Sequence, residues 1–158
     1  MTDNNIEARI QRLEDIEAIK RLKHQYAIYC DEAFDPVRLA PLFTKDAVWD
    51  GGPMGRYVGR ETIAAFFGAA SSAMIFGVHH MMNAVIDVDG DTATGQWHLW
   101  QPCTHAAGPI ALWVAGRYDD RYVREDGVWR FSHLKITLTM MSPYEAGWSK
   151  VPFVEIPA

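Results

Sequence analysis

The 158-residue chain is poor in several things, and each shortage closes off a class of protein. It has two cysteines, Cys30 and Cys103, far apart in sequence. That excludes a disulfide-stapled scaffold and points to free thiols in a reducing, cytoplasmic setting. It has no block of Lys or Arg, and its net charge is -5. Nucleic acid is therefore not expected as a partner, since phosphate binding needs concentrated positive charge. No apolar run reaches membrane-spanning length, and the polar opening "MTDNNIEARIQRLED" does not read as a signal peptide. There is no repeat, no low-complexity segment and no internal linker, so one domain over 1–158 is expected. What the chain does have is 49% hydrophobic against 22% charged residues, the balance of a globular protein. Six tryptophans and seven methionines suit either a well-filled core or a large apolar cavity.

Hydrophobic spacing sets out the elements. Residues up to Asn5 read as a loose end, and a short helix near 6–13 precedes a longer one ending at Asp31. In that longer helix Ile16, Ile19, Leu22, Tyr26 and Cys30 recur at three- and four-residue steps, with Lys20, Lys23 and Gln25 at the polar positions between them. "FDPVRLAPLF" reads as a further short helix, capped by Asp35 with Pro36 at its first position. "KDAVWDGG" is a strand, "GRETIAAFFGAAS" a helix, and everything after it strand, with tight turns at Asp89-Gly90 and Asp126-Gly127. This order predicts an α+β fold with helices on one face of a curved, mostly antiparallel sheet. In the last strand Trp129 and Phe131 alternate out of phase with Val128, Leu134, Ile136 and Leu138. Apolar residues on both faces predict that a second subunit covers the outer one, hence a homo-oligomer, dimer or trimer. "MMSPYEAGWSKVPFVEIPA" reads as an extended tail from residue 142, with Tyr144, Trp148 and Phe153 as anchors over the cavity mouth, a neighbouring subunit or their own domain.

The chemistry centres on a carboxylate and the histidines. Asp31 ends the long helix, where the helix dipole disfavours negative charge and "YAIYCDEAFDP" supplies no cation. It is either a solvated end-of-helix residue or an inward carboxylate that orients a histidine from the sheet. Tyr26 either packs in the core or donates a phenolic hydrogen bond in the same site. His79 and His80 point to opposite faces of a regular strand, so one of them can enter a given cavity, and a bulge would exchange them. His24 and His105 read as surface residues; His98 and His133 could lie on either face. No HxH or HxxxH pair adjoins a carboxylate, so no metal is expected.

The succession "EDIEAIKRLKHQYAIYCDE", "DPVRLAPLFTKDAVWD", "GRETIAAFF", "VHHMMNAVIDVDGDTATG" and "YDDRYVREDGVWRFSHLKIT" resembles the SnoaL-like group of the nuclear transport factor 2-like superfamily, from Ile6 to Tyr144. The resemblance implies a cone-shaped α+β barrel with a deep apolar pocket at one end. It is nearest to the branch of bile-acid dehydratases, scytalone dehydratase and the hexachlorocyclohexane dehydrochlorinase, where a His removes a proton and an Asp orients it. On that pattern Asp31 is the Asp, and His79, four residues before Asn83, is the base. Tyr26, five before Asp31, matches the dehydratase Tyr where the dehydrochlorinase has Lys. Leu134, beside Lys135, stands where the dehydrochlorinase has Arg, which argues against a halide leaving group. The expected activity is a cofactor-independent dehydratase acting on a hydrophobic, cyclic, hydroxylated small molecule held by Trp49, Leu99, Val114 and His80. A ketosteroid-type isomerase and a non-catalytic binding domain are the alternatives.

Overall fold

In the computed structural model, which describes residues 3–107 and 110–155, helix α1 runs unbroken from Asp3 to Asp31. Residues 3–5 of the expected loose end and the separate short helix are part of it; residues 1 and 2 lie outside the described residues. No Pro or Gly occurs between Asp3 and Asp31, so nothing interrupts the backbone ladder. Ile19, Leu22, Tyr26 and Cys30 are buried, as their spacing predicts. Lys23 departs from its expected polar position, for its side chain is fully buried.

After α1 come α2 (Pro36–Leu39), β1 (Phe43–Asp50), β2 (Arg56–Val58), α3 (Arg60–Ala73), β3 (Met74–Gly77), β4 (His80–Asp89), β5 (Thr92–His105), β6 (Ile110–Glu125) and β7 (Val128–Pro143). Asp35 caps α2 as expected, its Oδ1 accepting from the Val37 and Arg38 amides at 2.9 and 3.3 Å. The sheet order is β2-β1-β7-β6-β5-β3, with β4 also paired to β5. All of these pairings are antiparallel except β1 with β7. The helices pack on one face of this curved sheet, and the sheet is not closed into a barrel: the edge at β2 and the edge at β3 and β4 do not pair. The first hairpin turns at Gly90-Asp91, one residue later than its sequence suggests, because Asp89 pairs with Thr92 and Gly90 takes the positive φ. The second turns at Asp126-Gly127 as expected, both with positive φ.

Two irregularities in β7 correct the reading of its outer face. Arg121 pairs with His133 but Tyr122 pairs with Phe131, so Ser132 is an extra residue. A one-residue bulge reverses which side chains face inward. Trp129 and Phe131 before it, and Leu134 and Ile136 after it, therefore all lie in the same core. A second shift, from Ala115–Met140 to Gly116–Leu138, turns Met141 inward as well. The apparent two-faced pattern is one apolar face with bulges in it, and only Val128 stays exposed. The strand reaches Pro143, so the tail starts two residues later than expected. Its Phe153 bridges alongside Met141, while Tyr144, Trp148 and Phe153 remain more than half exposed. Residues 156–158 of that tail lie outside the described residues.

Candidate active site

The inner face of the sheet, α1 and α3 enclose a cavity of about 320 Å³. Its walls are largely apolar and aromatic: Trp49, Phe66 and Phe67 on one side, Leu99, Val114 and Ile136 on the sheet. Trp49 reaches its place because Gly51 has no side chain; a Cβ there would lie 2.5 Å from the indole. The polar groups in the lining are Tyr26, His79, Gln101, Cys103, His105 and Tyr118. No Lys, Arg, Asp or Glu lines it among the described residues.

Asp31 and His79 meet at the edge of this cavity, 48 residues apart in sequence. Asp31 is the last residue of α1, and the chain leaves the helix through two successive left-handed residues, Ala33 (φ 62) and Phe34 (φ 53). Neither is glycine, so this turn costs about 1–2 kcal/mol per residue. It swings Phe34 back over the site, stacked on Phe67 and edge-on to the His79 ring at 6.1 Å. His79 lies in the gap between β3 and β4. Its backbone N–H donates to Asp31 Oδ1 and Oδ2 at 3.0 and 3.2 Å, and its Nδ1 is 2.6 Å from Oδ1. A carboxylate only accepts, so the Nδ1 position carries the proton and the neutral ring presents the Nε2 lone pair. This N–H, shared between the two carboxylate oxygens, also compensates Asp31 for its place at the negative end of the helix dipole. The His79 side chain is 7% exposed and that of Asp31 26%, so the imidazole is enclosed while the carboxylate keeps contact with water.

Tyr26 is buried in the cavity wall, its hydroxyl accepting from Trp49 Nε1 at 3.2 Å. Burial, with Cys30 and Tyr118 beside it, raises its pKa well above the ordinary phenol value. It therefore stays protonated and can donate. Below it lies a buried ion pair. Lys23 Nζ is 2.8 Å from Asp120 Oδ2 and 3.3 Å from the centre of the Tyr118 ring. Burial pushes the Lys23 pKa down and the Asp120 pKa up, each opposed by the partner's charge. The Cys103 thiol is pushed up to about 11 by burial, which leaves it a neutral wall residue at ordinary pH.

Trp49, Leu99 and Val114 line the cavity. His80 does not. Strand alternation turns it outward beside Trp100, exposed on the far face from His79, so it does not line this cavity. His98 is also outside, its Nδ1 2.9 Å from Asn83 Nδ2, and His24 is exposed as read. His133 is half-buried behind the Ser132 bulge. His105, expected at the surface, reaches the cavity; its Nδ1 accepts from the Ala107 amide, so the neutral ring's Nε2 carries the proton. Gln101, Cys103, His105 and Tyr118 were missed as site residues. A signal was available for three of them: 99, 101, 103 and 105 share one face of β5 with the core residue Trp97. Among the described residues no three His, Cys, Asp or Glu side chains converge to hold a metal ion.

This constellation, an enclosed apolar cavity with a His–Asp pair at its rim in a helix-wrapped curved sheet, is built on an α+β fold that is also that of a nuclear transport factor 2-like protein. The SnoaL-like domain model matches residues 11–135, and the chain belongs to that family. Hexachlorocyclohexane dehydrochlorinase LinA-type3 from Novosphingobium barchaimii is 25% identical with a TM-score of 0.78, over 93% of this chain and 99% of that one. A protein from Novosphingobium aromaticivorans assigned as a scytalone dehydratase is 26% identical with a TM-score of 0.77, over 91% of this chain and 92% of that one. A nuclear transport factor 2-like superfamily protein from Salmonella enterica shares the fold at 19% identity, with a TM-score of 0.72 over 78% of this chain and 89% of that one. No curated protein sequence matches the chain. No helix among the described residues is long and apolar enough to cross a membrane.

Proposed function

We propose that the protein is a cofactor-independent dehydratase that removes water from a hydrophobic, cyclic, hydroxylated small molecule. The observation that carries this reading is the Asp31–His79 contact of 2.6 Å at the wall of an apolar cavity. The similarity to a dehydrochlorinase and to a protein assigned as a dehydratase supports an elimination. In the proposed step His79 Nε2 takes a proton from carbon, and Asp31 stabilises the imidazolium that forms. The released C–H electron pair becomes the new double bond, directly or through an enolate. The C–O bond of the departing hydroxyl breaks, and that oxygen takes a proton from the Tyr26 hydroxyl and leaves as water. Tyr26 is reprotonated from the His79 imidazolium through solvent once the product leaves. A carbonyl next to the reacting carbon makes its proton acidic enough for imidazole. The apolar walls keep water out and strengthen each of these electrostatic contacts.

The experiment is mass spectrometry of hydroxylated alicyclic ketones, sterols and cyclic polyketide-like compounds incubated with wild type and with Asp31→Asn. A product lighter by one water, formed by wild type and not by the variant, is the expected result. Equal turnover by Asp31→Asn removes Asp31 from the mechanism. A compound bound without change of mass replaces dehydration by isomerisation or by binding alone.

A further inference from the structure

The His–Asp pair and Tyr26 leave Gln101, Cys103, His105 and Tyr118 without a role in the cavity, and of these Gln101 is the buried amide. Gln101 is 4% exposed and faces the cavity from β5. Among the described residues its side chain makes one hydrogen bond, from Nε2 to Met74 Sδ at 3.2 Å. A thioether sulfur is a weak acceptor. One amide N–H thus has a poor partner, while the second N–H and the carbonyl oxygen have none within the described protein. Enclosed amides are normally satisfied, and one that is not is a place for a ligand to bond.

The register puts this amide beside the base. Gly77 pairs with Cys103 and His80 with Trp100, so counting inward from either pair sets position 79 opposite 101. The Val78 amide continues the ladder to Pro102 O at 3.1 Å. Side chains directly opposed across an antiparallel pair have Cβ atoms about 4.5–5.5 Å apart. Gly77 keeps the space between them open: a Cβ there would sit 3.4 Å from Gln101 Nε2 and 3.0 Å from Met74 Sδ. An atom held against His79 Nε2 therefore has a neighbour within reach of the Gln101 amide.

The chemistry of the wall narrows what that neighbour is. Among the described residues the lining holds no Lys or Arg, and the buried ammonium nearby, that of Lys23, is bound to Asp120. A carboxylate would lose its hydration here and meet no counter-charge, whereas a neutral carbonyl needs only a neutral donor. The volume of about 320 Å³ equals roughly ten waters at ~30 Å³ each, the scale of one or two fused rings.

We propose that Gln101 selects the substrate: its Nε2–H takes the neutral carbonyl oxygen adjoining the carbon that His79 deprotonates, in a compact ketone and not in a carboxylic acid. The inference rests on the proposed role of His79. As the proton passes to Nε2, the C–H pair moves into the carbon–carbon bond of an enolate and the carbonyl π pair moves onto oxygen. Gln101 meets that oxygen as its negative charge grows.

The test uses three ligands of one shape: acetylnaphthalene, ethylnaphthalene and naphthoate. Each is titrated calorimetrically into wild type and Gln101→Leu, and deuterium exchange into the acetyl group is followed by NMR in wild type and His79→Gln. Wild type is expected to bind the ketone about tenfold more tightly than the hydrocarbon, and to bind the acid weakest. Gln101→Leu is expected to keep its affinity for ethylnaphthalene, which shows an intact cavity, and to lose the preference for the ketone. A ketone preference absent from wild type, or unchanged in Gln101→Leu, overturns the proposal. His79-dependent exchange with a preference indifferent to Gln101 defeats the amide contact and leaves the base standing. A Gln101-dependent preference with no exchange in wild type supports the amide contact and defeats the base.

Discussion

Replacing Lys23 by Met separates the cost of a buried charge from the benefit of a buried contact. Lys23 and Asp120 are both fully enclosed, and Lys23 Nζ is the charged partner of Asp120 Oδ2. The methionine chain is close to lysine in length and can lie on the Tyr118 ring, so packing is largely kept. What is lost is the counter-charge. Asp120 would retain the Tyr122 hydroxyl at 2.9 Å on Oδ2, while its Oδ1 already lacks a side-chain partner. Breaking a buried pair on one side costs about 3–5 kcal/mol. For a chain of this size that is a drop in melting temperature of roughly 6–20 °C. The loss has a definite pH sign. Burial holds the Asp120 pKa above its ordinary 3.8, and in the variant no ammonium opposes it. The folded state then binds more protons than the unfolded one above that value, so stability falls as pH rises. The deficit should be larger near about pH 8 than near about pH 5. Lys23→Met/Asp120→Asn removes the stranded charge while keeping an acceptor for Tyr122, and should recover most of the loss. Urea unfolding followed by tryptophan fluorescence measures all three proteins. A single variant that loses less than about 1 kcal/mol, or a double variant no better than the single, refutes the view that the pair is held by mutual neutralisation.

Asp31→Asn should lower turnover by about 10²–10⁴-fold with the melting temperature nearly unchanged, since the Asn oxygen can still accept from the His79 amide but cannot stabilise the imidazolium; kinetics beside calorimetry check this. His133 has its pKa lowered from 6.5, first by burial and then by Arg121, with Asp50 opposing. Its neutral form is the folded one, so stability should fall as pH drops below 6.5 and level off under the lowered value; His133→Gln should flatten that part of a pH–stability curve measured by urea titration. A homo-oligomer remains our proposal, now resting on the aromatic cluster of Trp100, Trp113, Tyr144 and Trp148 outside the sheet, and light scattering that returns a single-chain mass refutes it.

Much of the architecture is local and therefore legible in the chain. The period of Ile19, Leu22, Tyr26 and Cys30 makes α1 and selects its buried face. Asp35 and Pro36 start α2, and Asp126-Gly127 turns the last hairpin, because capping and turn chemistry act over a few residues. A family pattern of residues spread over the whole chain also brought Asp31 and His79 forward together. What the sequence could not determine depends on register and on partners distant in the chain. The extra Ser132 reverses the parity of β7 and turns an apparent two-faced strand into a one-faced one. Lys23 reads as a surface lysine on its helix, and only Asp120, 97 residues away, makes its burial possible. Gln101 looks like one polar residue in a mixed strand until the pairing of β5 with β3 and β4 sets it against His79. Hydrophobic periodicity determined which elements form. Strand register, bulges and long-range pairing, which exist only once the sheet has folded over α1, decided which side chains share the core and the cavity.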